Sequence, residues 1–208
     1  MRPFGNAVIL CGGKSSRMGF DKALLQIDGQ YILQTMHDEL AKVFDRVFLL
    51  GNQKTNPDKF SIFDMELVTD IYDQGIGPAG AIHTGLTHAT SQYLFVIACD
   101  MPFINIDHIQ YMRSIILGLD SEVIVPLNGQ YKEVLYAFYH KSTLPIFEKN
   151  IKAGDYKMQL ILDQLDTYYL DQDKSEAIDP GLSMFTNLNY PTDVTRAFSL
   201  KEGLSDDE

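Results

Sequence analysis

Apolar and polar residues alternate along the first half of the chain in blocks that predict strands and helices in turn. Short, continuously apolar runs predict buried strands at 6–11, 46–51, 66–69 and 93–99. Between and after them, apolar residues recur at helical spacing in 31–44, 79–89 and 106–116. Strands that alternate with helices form a mostly parallel sheet covered on both faces. Ligands of such sheets bind at the carboxyl ends of the strands.

The second half of the chain follows a less regular pattern. An apolar run predicts a strand at 122–127, and Asn128 and Gly129 supply the two positive-φ residues of a tight turn. This turn predicts antiparallel pairing of 123–127 with 134–139. Helices are predicted at 144–151, at 158–165 and from residue 192, with a strand at 168–170. We therefore predict a three-layer, Rossmann-like α/β fold, with a mostly parallel central sheet and an antiparallel addition in the second half.

The length and charge of the chain limit the classes of function. Its 208 residues fit one domain, which we place at 1–200, followed by an acidic tail at 201–208. The net charge of −11 argues against a nucleic-acid or membrane-surface protein, because both need a broad basic surface. With no signal-like or membrane-spanning run, we expect a cytoplasmic protein. Cys11 and Cys99 lie in strand-like runs, so we expect small core residues rather than a disulfide scaffold.

A glycine-rich, basic loop follows the first predicted strand. Residues 10–22 read Leu-Cys-Gly-Gly-Lys-Ser-Ser-Arg-Met-Gly-Phe-Asp-Lys. Glycines let backbone N–H groups approach phosphate oxygens, and Lys14, Arg17 and Lys22 can neutralise a triphosphate. The loop is not a Walker A motif, because Val8 stands where that motif requires its first glycine. The sequence therefore predicts a phosphate-binding loop of another kind.

Asp100 follows the apolar run 93–99 directly, within Cys-Asp-Met-Pro-Phe at 99–103. Its carboxylate should emerge at the same edge of the sheet as the glycine-rich loop. Mg²⁺ prefers carboxylate and phosphate oxygens and often takes only one or two protein ligands, so one aspartate is sufficient. The structural alternative is a turn or helix cap, since Asp before a turn that contains Pro is common.

A second glycine-rich segment, at 75–80, suggests a different function. It formally matches GxGxxG, and Asp100 lies about 20 residues further on, as a dinucleotide-binding fingerprint requires. Against this interpretation, residues 71–74 separate the glycines from the predicted strand 66–69, and Pro78 interrupts the expected turn. An NAD-binding oxidoreductase stays open as an alternative.

The loop at 10–22 resembles the signature of the molybdenum cofactor guanylyltransferase family, L-A-G-G-x-S-x-R-M-G-x-D-K, with Cys11 in place of the family's alanine. The family's C-D-x-P-F is similar to 99–103. Its Gly-Pro segment, preceded by an aspartate, is similar to 70–80, with Ala81 replacing a glycine. Its P-L-x-A-L-Y strand resembles 134–139, with Val134 replacing the proline, and its N-x-N-x-P-x-D/E resembles 187–193. The resemblance runs from about residue 7 to residue 193.

The resemblance implies a nucleotidyltransferase that moves GMP from GTP to the terminal phosphate of molybdopterin, or of its molybdenum-loaded form, and releases pyrophosphate. It implies that the backbone of 10–12 contacts guanine, and Gly12, where related cytidylyltransferases tend to have alanine, favours guanine. The catalytic residues it implies are Arg17, Lys22 and Asp100, with Asp100 as the Mg²⁺ ligand. The nucleotide-binding residues it implies are Leu10, Cys11, Gly12, Gly13, Lys22, Asn52, Asp70, Gly77, Pro78 and Asp100. The acceptor side would include Tyr136, Asn187 and Asn189.

The resemblance also implies partners. These are GTP, a molybdopterin-type phosphorylated acceptor and, transiently, other molybdenum cofactor proteins, with the chain as a monomer or weak oligomer. Three alternatives stay open: a related nucleotidyltransferase that uses CTP or a sugar-phosphate acceptor, the oxidoreductase, and a non-catalytic nucleotide sensor. A sensor would bind GTP and leave it intact, and an oxidoreductase would release no pyrophosphate.

Overall fold

The computed structural model of the chain describes residues 2–11, 24–27, 29–53, 55, 57–72 and 76–188. The glycine-rich loop from residue 12 to residue 22 lies outside these ranges. So do the final helix predicted from residue 192 and the acidic tail predicted at 201–208. The predicted domain boundary at residue 200 therefore stays a prediction.

The described residues form an α/β unit. In chain order its elements are β1 (Phe4–Leu10), β2 (Gln26–Ile27), β3 (Gln30–Tyr31), α1 (Ile32–Ala41), β4 (Arg46–Gly51), β5 (Glu66–Thr69), α2 (Pro78–His88), β6 (Tyr93–Ala98), α3 (Ile106–Leu119), β7 (Val123–Asn128), β8 (Tyr131–Lys132), β9 (Tyr136–His140), α4 (Leu144–Ala153), α5 (Met158–Leu162), β10 (Thr167–Leu170) and α6 (Gln172–Glu176). Within the described ranges, no helix has the length and hydropathy that crossing a membrane requires.

One sheet organises these elements, with the strand order β10-β7-β9-β6-β1-β4-β5 and with β8 paired to β7. The pairs β1–β4, β1–β6, β4–β5 and β7–β10 are parallel. Only β9, between β6 and β7, runs antiparallel to both neighbours on this path. The predicted mostly parallel sheet with an antiparallel addition is confirmed, and the addition lies inside the sheet.

Both faces of the sheet are covered by helices. On β1, Ala7 and Ile9 face a core covered by α1 and α3, whereas Val8 and Leu10 face a core covered by α2, α4 and α5. A strand buried on both faces needs apolar residues at every position, which explains the continuous apolar runs. Two helical layers around one sheet give the predicted three-layer fold.

The turn after β7 differs from the prediction. Gly129 has a positive φ of 61°, but Asn128 does not, and it remains in β7 paired with Tyr131. The prediction of two positive-φ residues was wrong, because a glycine at the first turn position is sufficient for a two-residue hairpin turn. The predicted pairing of β7 with β9 is confirmed, at Val123–Tyr139 and Ile124–Phe138.

Other differences concern short elements. The helix predicted at 158–165 ends at Leu162. The hairpin of β2 and β3 and the helix α6 were not predicted. With two residues in each strand and only polar residues in α6, none of these elements carries an apolar period.

The strand directions define one edge of the sheet, which we call the carboxyl edge. Because β7 is antiparallel to β9 and β9 is antiparallel to β6, β7 points in the same direction as β6. The strands β1, β4, β5, β6, β7 and β10 therefore all end at the carboxyl edge, where the sequence predicts the ligand site.

Candidate active site

The hydrogen-bonded ladder continues one residue past the ends of β1 and β6. The N–H of Cys11 donates to the carbonyl of Leu50 at 2.8 Å, and the N–H of Cys99 donates to the carbonyl of Leu10 at 3.1 Å. In a parallel ladder the second bond places Cys11 and Cys99 side by side. The chain positions from which the glycine-rich loop and Asp100 follow are therefore neighbours at the carboxyl edge.

The same extension occurs between β4 and β5. The N–H of Asp70 donates to the carbonyl of Gly51 at 2.7 Å, which places Asp70 beside Asn52. Three strand spacings separate β6 from β5, and at about 4.8 Å each they amount to about 14 Å. The row of residues from Asp100 to Asp70 therefore suits an extended ligand rather than a single ion.

A hydrogen-bond network holds the half-buried carboxylate of Asp70. Its Oδ1 accepts from the Thr84 hydroxyl at 2.6 Å and from the N–H of Tyr72 at 3.1 Å. The Thr84 hydroxyl also accepts from the N–H of Ile71 at 3.3 Å, so its proton is directed at Asp70. Since both bonds to the carboxylate use Oδ1, Oδ2 is the oxygen that a ligand would contact.

The amino end of α2 lies just after this network. Gly77, the cap residue, has a positive φ of 66°, where glycine is favoured, and Pro78 occupies the first turn. A Cβ on Gly77 would meet nothing within 4 Å, so backbone conformation rather than crowding requires glycine here. N–H groups in the first turn of a helix have no partner within the helix and favour anions.

The described residues 76–80 do not open a helix directly after a strand, as a dinucleotide-binding turn does. In that motif the glycines open a helix directly after a strand, whereas here 70–77 separate β5 from α2. Gly80 lies inside α2, where an added Cβ would be 3.0 Å from the side chain of Ile76. Close packing of α2 against the segment that precedes it, at Tyr72 and Ile76, explains this glycine. Gly75 is outside the described residues.

Asp100 lies in the turn after β6 and is half-buried. Its main-chain carbonyl accepts from the N–H of Leu188 at 2.8 Å, so the segment around Asn187 lies at the carboxyl edge. The side chain of Asn187 is exposed and donates to the carbonyl of Phe185 at 3.4 Å. Asn189 is outside the described residues.

Tyr136, predicted on the acceptor side, is a core residue in this structure. Its side chain is fully buried, and its hydroxyl donates to the carbonyl of Asn105 at 3.4 Å. Its ring packs edge-on against Phe95 and Phe185, and burial raises the pKa of its hydroxyl. The side chain has no exposed surface with which to contact an acceptor, because this position of β9 faces the core under α3.

The structure thus brings most of the predicted nucleotide-binding positions to one edge. Those that it describes there are Leu10, Cys11, Asn52, Asp70, Gly77, Pro78 and Asp100. The loop residues Gly12, Gly13, Lys14, Arg17 and Lys22 lie outside the described residues, and their roles stay predictions.

The sequence analysis missed two buried polar residues of α2: Thr84, which donates to Asp70, and His83 beside it. Thr84 is fully buried, and the neighbouring His83 is nearly so. The Nδ1 of His83 lies 3.3 Å from the Tyr72 hydroxyl, and its Nε2 lies 3.7 Å from Oε1 of Glu148. Burial lowers the pKa of His83, and Glu148 opposes that shift. The sequence did contain a signal for them, because His83 and Thr84 are polar residues on the buried face of the helix predicted at 79–89.

Comparison with known proteins shows which proteins this chain is similar to. A family model described as a MobA-like NTP transferase domain matches residues 7–168. The chain is 37% identical over 191 residues to a probable molybdenum cofactor guanylyltransferase of Peptoclostridium acidaminophilum, covering 89% of this chain and 85% of the relative. It is also 37% identical over 194 residues to the molybdenum cofactor guanylyltransferase of Syntrophotalea carbinolica, covering 93% and 90%.

A solved structure shares the fold. The crystal structure of molybdopterin-guanine dinucleotide biosynthesis protein A from Archaeoglobus fulgidus superposes with a TM-score of 0.81 at 24% identity. The match covers 95% of this chain and 99% of that one. The two chains therefore share one fold over nearly their full lengths.

Proposed function

Because the chain belongs to the MobA-like NTP transferase family, we propose that it is a molybdenum cofactor guanylyltransferase. It transfers GMP from GTP to the terminal phosphate of molybdopterin, free or loaded with molybdenum. The observation that carries the proposal is the row at the carboxyl edge, where the ladder bonds align Cys11 with Cys99 and Asn52 with Asp70. The described motif positions of the first half thus lie along one edge of the sheet, which supports the proposal.

The proposed reaction needs alignment and charge neutralisation more than acid–base chemistry. An oxygen of the acceptor's terminal phosphate attacks the α-phosphorus of GTP, the bond to the bridging oxygen breaks, and pyrophosphate leaves. The attacking phosphate is already anionic, so it needs no strong general base. Basic side chains would stabilise the leaving pyrophosphate, and the sequence offers Arg17, Lys22 and Lys14 for that role.

The nucleotide would lie along the carboxyl edge. The backbone of 10–12 would contact the guanine, with Asn52 and Oδ2 of Asp70 further along the row. The first-turn N–H groups of α2, after Gly77 and Pro78, offer donors to anionic or carbonyl oxygens. The same edge would receive the acceptor from the side of β7 and the segment at Asn187.

We propose that the site uses Mg²⁺ bound together with the substrate phosphates. Among the described residues, no three His, Cys, Asp or Glu side chains group around a point that could hold a metal ion. Mg²⁺ is commonly bound by one or two carboxylates together with substrate phosphates. Asp100 would hold it here, and the ion, when bound, would supply charge neutralisation at the phosphates. Cytoplasmic location and a monomeric or weakly oligomeric state stay predictions.

The test is pyrophosphate release from GTP, CTP and ATP, each with Mg²⁺ and molybdopterin. Release with GTP alone is expected. Release with CTP alone would replace the guanylyl assignment by a cytidylyl one. A folded protein that releases no pyrophosphate with any nucleotide and a competent acceptor would overturn the proposed reaction, and binding of GTP without turnover would indicate a sensor.

Thr84 should act as a positioning residue for the nucleotide. Replacing Thr84 by Val keeps the buried shape but removes the hydroxyl that orients Asp70. A hydrogen bond to a charged group contributes about 1.5–3 kcal/mol, so we expect the KM for GTP to rise at least about tenfold with little change in kcat. Steady-state kinetics of pyrophosphate release would measure both constants.

The matched control is Thr84→Ser. This variant keeps the hydroxyl, so its KM for GTP should stay close to the wild-type value. Thermal unfolding of both variants would separate positioning from lost stability. An unchanged KM in a folded Thr84→Val protein would contradict the role of Thr84.

A further inference from the structure

The turn that leads into β9 lies at the carboxyl edge, beside the end of β6. The N–H of Ala98 donates to the carbonyl of Leu135 at 3.1 Å. Asp100 lies two residues after this bond on one chain segment, and Glu133 lies two residues before it on the other. In the strand order, β9 is on the side of β6 away from β1 and from the nucleotide row. Glu133 is therefore on the side from which the acceptor would enter.

Main-chain bonds and one side chain fix the position of Glu133. Its N–H donates to the carbonyl of Pro126 at 2.9 Å, and its carbonyl accepts from the N–H of Tyr136 at 2.9 Å. Oε1 of its carboxylate accepts from Nδ2 of Asn128 at 3.1 Å. The carboxylate is therefore held in place before any ligand binds.

The carboxylate lies on the face of the sheet that α1 and α3 cover. Asn128, which donates to it, is four residues after Ile124 on β7, and Ile124 belongs to the core on that face. Leu188, next to Asn187, packs in the same core. Glu133 and the segment at Asn187 thus border the carboxyl edge on one face.

The carboxylate has unused capacity for hydrogen bonds. It is half-buried, and the bond from Asn128 is the one hydrogen bond that it accepts from the described residues. Within the same ranges no basic side chain pairs with it, and Lys132, the nearest along the chain, donates to Gln159 and Tyr169 instead. Burial raises the pKa of Glu133, and the bond from Asn128 opposes that shift. A carboxylate can accept about four hydrogen bonds, so this one suits a ligand that brings further N–H groups.

The chemistry of the acceptor decides which of its ends such a carboxylate would contact. The terminal phosphate is anionic, so a carboxylate would repel it. The other end of molybdopterin is a pterin, which presents a ring N–H beside an exocyclic amino group. Two adjacent N–H donors match the two oxygens of a carboxylate, as the guanidinium of arginine does. Guanine presents the same pair of donors, but the backbone of 10–12 that would contact it follows β1, two strand positions from β9.

From this geometry we propose that Glu133, held by Asn128, binds the ring N–H and the amino group of the acceptor's pterin. The inference rests on the proposed function, which supplies the identity of the acceptor. It makes Glu133 a residue that determines acceptor specificity. The bound substrates would then lie along the carboxyl edge, with the pterin on the β9 side of Asp100 and the nucleotide on the β1 side.

Glu133→Gln tests this contact in the transfer reaction. Gln keeps the size of the side chain but replaces one acceptor oxygen by an amino group, which would face the donors of the pterin. The KM for molybdopterin should rise about 10–100-fold, whereas the KM for GTP should not change. An unchanged KM for GTP also shows that the variant is folded.

The matched control is Glu122→Gln. Glu122 is a half-buried glutamate that precedes β7, so it lies at the opposite edge of the sheet, and its replacement should change neither KM. An unchanged KM for molybdopterin in Glu133→Gln would overturn the proposal. So would a rise in the KM for GTP alone, because Glu133 would then contact guanine.

Free pterin and lumazine test the contact without turnover. Lumazine has an oxygen in place of the amino group, so it would place an acceptor against the carboxylate. In fluorescence titrations the wild-type protein should bind pterin at least about tenfold more tightly than lumazine, and Glu133→Gln should lose that preference. Equal binding of the two compounds, or no binding of pterin, would overturn the proposal. If the protein binds pterin through Glu133 but transfers no nucleotide, the proposed function fails and the pterin site stands.

Discussion

Replacing Asp100 by Asn should lower kcat for GMP transfer by about 10²–10³-fold, the usual cost of losing one electrostatic contact in an active site. Asn keeps the shape of the side chain but removes the negative charge that would hold Mg²⁺. The bond that ties this turn to the C-terminal segment should survive, because Leu188 donates to the main-chain carbonyl of Asp100. Pyrophosphate release at saturating GTP and acceptor would measure the loss.

Asp166→Asn provides a matched control for Asp100→Asn. Asp166 is exposed and precedes β10, so it lies at the opposite edge of the sheet. Its replacement by Asn removes the same negative charge as Asp100→Asn does. It should leave kcat unchanged. The Mg²⁺ concentration for half-maximal activity should rise in Asp100→Asn and not in Asp166→Asn. Wild-type turnover in Asp100→Asn would contradict the role of Asp100 as a metal ligand.

The sequence predicted the strands of the sheet best where burial is complete. On β6, both faces are covered by helices, so all six residues are apolar and the run stands out. The same burial removes the alternation that would show which face each residue points to. This is why Tyr136, next to Ala137 on β9, could be placed in a strand but not in the core under α3.

The neighbours across the sheet could not be predicted from spacing along the chain. The strand β1 lies beside β6, although β4 and β5 come between them in the sequence. The contact of Cys11 with the chain at Cys99 and the bond from Thr84 to Asp70 both depend on such tertiary placement. Local sequence patterns indicated Asp70 and Asp100 as candidate site residues. Only the strand order shows that both lie along one edge of the sheet.

Acidification should destabilise the protein through His108, a buried residue of α3. Its Nε2 lies 3.0 Å from the buried Ser175 hydroxyl, and its Nδ1 has no hydrogen-bond partner in the described part of the chain. Protonation would place a charge and an unpaired donor beside the rings of Tyr136 and Phe185. Burial lowers the pKa of His108 from 6.5 to about 4, and Asp179 opposes that shift only in part.

The sign of this effect follows from the two pKa values. Above pH 6.5, His108 is neutral in both the folded and the unfolded chain, so it adds no pH dependence. Between pH 6.5 and about 4, the unfolded chain binds the proton and the folded chain does not, so the free energy of unfolding falls. The pKa difference corresponds to a loss of about 3 kcal/mol by pH 4.

Urea unfolding from pH 7.5 to pH 4 would measure this loss against two variants that cannot titrate at this position. His108→Gln can keep a bond to Ser175, whereas His108→Phe cannot, so the two should differ in stability at pH 7.5. Below pH 6.5, the free energy of unfolding should depend less on pH in both variants than in the wild-type protein. The two variants should have the same dependence, because carboxylates titrate alike in all three proteins. If the free energy of unfolding fell with pH as steeply in both variants as in the wild-type protein, the acid sensitivity would come from groups other than His108.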